Sequence, residues 1–271
     1  MTRGISIDQI TGNVGAIVSG LDLRQAIQPD AVDYLANALA KHGVLFFRNQ
    51  ELDLGQFWAF TKHFGTPLSA EVSGTAQDTA DMVGTADMAP VRHTTAVWHA
   101  DTTSLARPPW ATILRAVQPT PFGGDTCWSS MYAAWDSLTE PMRQMLDGLT
   151  AVHSIRPTYD RMLHYAQFFQ PDYEKLHRTE QVHPVVLAHP VTGRKAIYVS
   201  ESFTTRIVEL SPRESDAVLA MLFRHIERPE FCVRWKWSAN DLAFWDNRCV
   251  QHYAVPDYDS PRIMQRIVLQ G

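Results

Sequence analysis

Residues 231–247 read FCVRWKWSANDLAFWDN. Phe231, Val233, Trp235 and Trp237 alternate with Cys232, Arg234 and Lys236, which is the period of a strand with one buried face. Leu242-Ala-Phe-Trp245 carries the β pattern on to an Asp246-Asn247 turn, and Trp235 and Trp237 read as packing residues. The same alternation marks Val14 to Leu23, Ala111 to Val117 and Arg262 to Leu269, while Val44-Leu-Phe-Phe-Arg48 is apolar enough for a wholly buried strand.

Helical spacing is confined to a few places. Asp30 to Lys41 places Leu35, Ala38 and Leu39 on one face and stops at Gly43, and Leu54 to Phe64 forms a second amphipathic stretch ending at Gly65. Thr139 with Pro141 opens a helix through Leu149. Ser211-Pro-Arg-Glu214 is a capping box with proline at the first helical position, starting a helix that runs to about Ile226. Residues 66–96 and 154–180 show no sustained period. Loops of that length are usually functional, and here they are expected to be active-site lids. The expected fold is mainly β with flanking helices, a sandwich or jelly roll. It is expected to be one domain over residues 1–271, since no repeat or linker divides the chain.

Apolar residues make up 45% and charged residues 20% of 271 residues, so a large core can be buried. A net charge of −5, without clustered lysine and arginine, argues against a nucleic-acid partner. Cys127, Cys232 and Cys249 follow no disulfide or zinc spacing. No secretory h-region is visible and no apolar run reaches the length of a membrane span. A cytoplasmic protein that does not associate with membranes is expected.

The chemistry concentrates in His99-Ala-Asp101, His252 and Arg262. Residues i and i+2 of a strand share a face, so His99 and Asp101 project together. A distal histidine would complete the two-histidine, one-carboxylate facial triad of non-haem iron oxygenases. A His-x-Asp match arises about once by chance in a chain of this composition, so the short motif alone decides little. Its context decides more: His252 follows Trp245-Asp-Asn-Arg248, and an arginine follows ten residues later. A zinc hydrolase could also use two histidines and a carboxylate, and a non-catalytic jelly-roll (cupin-like) binding protein could keep the sheet alone. His93, His153, His183, His189 and His225 have no ligand spacing and read as structural or exposed.

The chain resembles the taurine dioxygenase and TfdA family of Fe(II)- and 2-oxoglutarate-dependent dioxygenases. The matching stretches are Trp98-His-Ala-Asp101, Phe122-Gly-Gly-Asp-Thr126, Phe203-Thr-Thr-Arg-Ile207, Phe244-Trp-Asp-Asn-Arg248, Gln251-His-Tyr253 and Arg262-Ile-Met-Gln-Arg266. The resemblance implies a double-stranded β-helix, with Fe(II) held by His99, Asp101 and His252. It also implies 2-oxoglutarate gripped at its far carboxylate by Thr126 and Arg262, and O2 as oxidant, with succinate and CO2 released as the substrate is hydroxylated. A guanidinium suits that carboxylate because it donates two parallel hydrogen bonds.

Arg266 lies four residues beyond Arg262, so both are expected to face inward with Met264. Buried unpaired charge is costly, hence a second anion is expected beside 2-oxoglutarate. Phe203 matches an aromatic lining position and Tyr159 is a second candidate for that wall. The family's substrate-binding His and Tyr would fall in Pro67-Leu-Ser-Ala-Glu-Val-Ser73, which has neither, and an Asp-Asn pair is replaced by Thr94-Thr95. The expected substrate is therefore a small sulfonate, sulfate ester or carboxylate rather than taurine alone. Ser130-Met-Tyr-Ala-Ala-Trp135 and Gly193-Arg-Lys195 lean toward aryloxyalkanoate relatives, which cleave an ether through hydroxylation. The resemblance suggests a homodimer or homotetramer.

Overall fold

The computed structural model describes residues 4–68, 84–87, 92–163 and 180–271. A seven-stranded sheet forms its base, in the order β1 (Ser6–Gln9), β2 (Ala16–Ser19), β3 (Val44–Phe47), β13 (Leu242–Asp246), β5 (Ala111–Gln118), β15 (Ile263–Leu269) and β4 (Gly84–Asp87). Among the described strands, only β2 and β3 pair in parallel. A three-stranded antiparallel sheet, β12 (Cys232–Trp235), β6 (Thr126–Ser130) and β14 (Val250–Ala254), faces it. A further sheet joins β11 (Thr204–Ile207), β7 (Thr150–Ser154) and β8 (Glu180–Pro184), and β9 (Val186–Ala188) pairs with β10 (Lys195–Ile197).

Side-chain parity divides the core in two. Phe46, Ala243, Trp245 and Met264 of the large sheet meet Trp128, Val233, Trp235 and Val250 of the facing one. Phe46 stacks on Trp235 with ring centroids 4.0 Å apart, and Trp128 meets the Trp245 ring edge at 5.6 Å. Leu45, Phe47, Phe244, Ile267 and Leu269 point the other way. There they pack on α1 (Pro29–His42) and α2 (Leu54–Lys62), whose Leu35, Leu39, Phe57 and Phe60 are buried. Burying such side chains stabilises by about 1.5–3 kcal/mol each.

Local signals fix the helix ends. Gly43 closes α1 at φ 74°, its N–H bonding Leu39 O at 2.8 Å. Its carbonyl accepts from Asp246 N at 3.0 Å, and a Cβ there would come within 2.4 Å of Val250. The helix therefore ends against the turn after β13. Asp53 and Gln56 form a reciprocal capping box at the start of α2, at 2.7 and 2.9 Å. The short helices α3 (Met131–Asp136), α4 (Glu140–Leu146) and α5 (Arg156–Leu163) follow β6 and β7, and α6 is Pro212–Ile226. The Glu214 carboxylate accepts from both Ser211 N and Ser211 Oγ.

The two stretches without a period contain regular structure. Gly84–Asp87 pairs with β15 at the edge of the large sheet, and Arg156–Leu163 is helical. Most of the remainder of both candidate lids lies outside the described residues. The helix expected through Leu149 stops at Leu146, because Gly148 takes φ 89° and Thr150 enters β7. Among the described residues, no helix is long and apolar enough to cross a membrane.

Candidate active site

His99 and His252 are direct cross-strand partners. His99 N donates to His252 O at 3.0 Å and His252 N to His99 O at 2.8 Å, an antiparallel bridge that holds the ring centroids 4.1 Å apart. The segment around His99 is not a strand, as the sequence suggests, but a single bridge residue. Asp101 opens the following turn, in which Thr102 takes φ 48°. One ligand atom from each of His99, Asp101 and His252 can lie within 4.8 Å of the other two.

The surroundings select the atoms left for a metal. Val97 O accepts from His99 Nδ1 at 2.7 Å, which leaves Nε2 with its lone pair. Thr112 Oγ1 donates to Asp101 Oδ2 at 2.6 Å, and Asn247 Nδ2 donates to Thr112 Oγ1 at 3.1 Å. Asn247 Oδ1 accepts from Asp101 N and from Trp245 Nε1. Asp101 Oδ1 is thus the outward oxygen, 3.8 Å from His252 Nε2 and 3.5 Å from Arg266 Nη1. Thr112 and Asn247 are site residues that the sequence reading leaves unassigned; Asn247 stands in a quoted motif, while Thr112 carries no signal beyond its place on β5.

The protonation states suit a metal. Burial pushes the His252 imidazole down to about 3 and lowers His99 as well. For Asp101, burial acts upward, but the attraction of His252, Arg266 and His99 with the Thr112 hydrogen bond outweighs it, so the carboxyl lies below its ordinary range. Two neutral imidazoles and one carboxylate are the donor set of a divalent transition metal. Behind them the cavity bounded by Ala100, Thr103, His153, Asn247 and Gln251 holds only about 10 Å3.

A second group, His189, Asp246 and Cys249, also clusters, but its donors are already used. Asp246 accepts from the Arg248 guanidinium at 2.6 and 2.8 Å and lies 3.0 Å from His189 Nε2. Burial also keeps the Cys249 thiol protonated. This cluster ties β13 to the turn after β9 and is structural.

Arg262 is buried, and its Nη2 lies 3.4 Å from Thr126 Oγ1. Trp237 Nε1 donates to the same hydroxyl at 3.0 Å. Trp237 is therefore more than a packing residue, because its bond turns the Thr126 proton outward. Gly123 and Gly124 make the approach possible: a Cβ on Gly124, at φ 68°, would lie 2.9 Å from Thr120 Oγ1 and 3.3 Å from Arg262 Cδ.

Arg266 faces Asp101 as expected but is not enclosed. Its side chain is 44% exposed while Arg262 is 4% exposed, so the two do not form a buried pair. Arg262 precedes β15, and a register irregularity between Ile263 and Met264 breaks the alternation that equated them. Arg266 stands half-exposed beside Asp101. Phe203 is buried in the turn before β11, where its carbonyl accepts from Ser154 N at 2.7 Å. Tyr159 falls on α5, with its side chain outside the described residues. The segment Pro67–Ser73 lies largely outside them too.

A β fold carrying this donor set beside a buried arginine offers a divalent metal a site. The model of the taurine catabolism dioxygenase TauD, TfdA family matches residues 6–268, and the chain belongs to that family. It is 36% identical to an alpha-ketoglutarate-dependent sulfate ester dioxygenase of Pseudomonas putida, over 98% of this chain and 90% of that protein. An alkylsulfatase of Acinetobacter baylyi is 34% identical over 100% and 86% of the two chains. Among solved structures, a taurine dioxygenase from Burkholderia xenovorans superposes with a TM-score of 0.83 at 38% identity, covering 99% of this chain and 90% of that one.

Proposed function

We propose that the protein is an Fe(II)- and 2-oxoglutarate-dependent dioxygenase that hydroxylates small organic anions, sulfate esters foremost, and is not strict for taurine. The observation that carries this reading is the pair of neutral imidazoles facing the outward oxygen of one carboxylate, with a buried arginine and threonine beside them. His99, Asp101 and His252 would hold the iron in one double-stranded β-helix (jelly-roll) domain. When bound, iron supplies the O2 chemistry that converts 2-oxoglutarate to succinate and CO2 while a substrate carbon is oxidised.

The chain's own groups position the reactants. Thr112 and Asn247 fix the Asp101 carboxylate so that one oxygen faces the metal. Arg262 and the Thr126 hydroxyl, oriented by Trp237, bind the far carboxylate of 2-oxoglutarate. Arg266 takes the substrate anion, with Phe203 and Tyr159 as apolar walls. Hydroxylation beside the ester oxygen of a sulfate ester gives a hemiacetal-type product that releases sulfate. An aryloxyalkanoate ether would fragment in the same manner. A cytoplasmic setting suits the three free cysteines, and a homodimer or homotetramer without nucleic-acid or membrane partners completes the proposal.

The test is spectroscopic and then kinetic. Anaerobic addition of Fe(II) and 2-oxoglutarate should give a weak visible charge-transfer band, and succinate release should depend on an added sulfate ester, sulfonate or aryloxyalkanoate. If there is no band, and no anion elicits succinate, the reading fails; hydrolysis with zinc alone would instead favour a hydrolase.

A further inference from the structure

Arg161, on α5, has no role in the site described so far. Its Nη2 donates to Ser202 Oγ at 3.0 Å and to Thr158 Oγ1 at 3.2 Å, and Thr158 Oγ1 donates to Ser202 O at 2.8 Å. Both acceptors are neutral hydroxyls. Its Nε is buried without an acceptor, and among the described residues no carboxylate forms an ion pair with it. Glu201, which is exposed, acts only at longer range. A guanidinium has five N–H donors in a fixed fork, so Arg161 is held in place with donors to spare.

The position of this guanidinium relates it to the triad. Ser202 precedes Phe203, whose carbonyl accepts from Ser154 at the end of β7. His153, the preceding residue of β7, reaches Thr103 Oγ1 at 2.8 Å, two residues past Asp101. The charge of Arg161 also acts on His99, alongside that of Arg266. Arg161 on α5 thus sits beside Ser202 and Phe203, and Arg266 meets Asp101 from β15.

We propose that Arg161 forms a second anion subsite of the substrate pocket, so that the preferred substrate is a dianion, with one anionic group on Arg266 and a carboxylate or similar group on Arg161. This rests on the dioxygenase reading. Charge balance favours it: Asp101 and 2-oxoglutarate bring three negative charges, against five positive charges from Fe(II), Arg262, Arg266 and Arg161. A monoanion leaves one positive charge uncompensated in a partly desolvated site, and a dianion leaves none. The same excess repels the ammonium of a zwitterion.

The iron-loaded enzyme distinguishes the outcomes. KM for succinate release, and substrate binding followed by perturbation of the anaerobic visible band, are measured for a series of alkyl sulfates and for ω-carboxyalkyl sulfates of matching length. The wild type should favour at least one dianion over its monoanion partner by about tenfold or more. Arg161→Gln should abolish that preference by raising dianion KM far more than it alters monoanion KM, while Arg161→Lys should keep part of it. Should Arg161→Gln fail to fold, the wild-type ratio and the lysine variant decide. Equal or better binding of every monoanion by the wild type, or equal effects of Arg161→Gln on both series, would overturn the inference and leave the dioxygenase reading standing. Absence of turnover with all anions would instead strike the dioxygenase reading itself.

Discussion

Thr112→Val tests how the carboxylate ligand is held. The substitution keeps shape and removes the hydroxyl that donates to Asp101 Oδ2 at 2.6 Å and accepts from Asn247 Nδ2 at 3.1 Å. Thr112 is fully buried and Asp101 nearly so, so water cannot replace the lost donor without repacking. A hydrogen bond to a charged group is worth about 1.5–3 kcal/mol, and about 1.4 kcal/mol is a factor of ten in affinity. Metal affinity should therefore fall about 10–100-fold, the range found when partners behind a ligand are removed. The assay is anaerobic calorimetry with Fe(II), repeated with Co(II), whose visible spectrum reports the ligand set. Thr112→Ser should recover most of the loss because it restores the hydroxyl. If the valine variant folds normally and binds metal within about twofold of wild type, the backbone bridge alone orients the ligands and the role given to Thr112 is wrong.

Other expectations follow from single features. Trp237→Phe removes the bond that orients the Thr126 hydroxyl and should raise KM for 2-oxoglutarate about 3–10-fold with little change in substrate KM, as succinate assays would read. Thr102 is β-branched at φ 48°, so Thr102→Gly should stabilise the fold by up to about 1 kcal/mol in urea unfolding; a loss of stability would mean that the Thr102 side chain is needed. Burial lowers the His153 imidazole to about 3, with His183 adding to the effect. The unfolded chain then binds the proton first. Its contribution is full above the ordinary histidine range and is lost as pH falls from there toward 3. The urea midpoint should decline across that window, and less steeply in His153→Gln. Added salt should raise substrate KM more than 2-oxoglutarate KM, because Arg266 is 44% exposed and Arg262 is 4% exposed.

What the sequence made legible were the features written in adjacent residues. Phe231 to Trp237 alternates because one face of that segment is buried and the other open, whereas Leu242 to Trp245 is apolar throughout because both its faces are covered. The helix stops at Gly43 and Ser211 carry their own cap chemistry. The triad was readable because His99 and Asp101 stand two apart and His252 follows a long motif. Features that depend on a distant partner stayed hidden. Gly84–Asp87 has no apolar alternation and becomes a strand only because β15 offers an edge. The Thr112 and Trp237 contacts join residues more than a hundred positions apart in sequence or on separate sheets. Counting alternate residues put Arg266 on the side of Met264, where it does meet Asp101 at 3.5 Å, but the count carried no sign that its side chain stays 44% exposed while Arg262, beyond the irregularity at Ile263, is enclosed.

The contrast between the two arginines would suit two different reactants. Arg262 is enclosed by Gly124, Tyr258 and Thr126, so a carboxylate that reaches it sheds water and meets a charge in a low-dielectric setting. Such an anchor is strong and little affected by bulk ions. Arg266 keeps much of its hydration and balances Asp101 from 3.5 Å, so its hold on an anion is weaker and more easily reversed. The buried position suits a reactant common to every turnover. In the proposed reading, the more exposed position would suit one that varies.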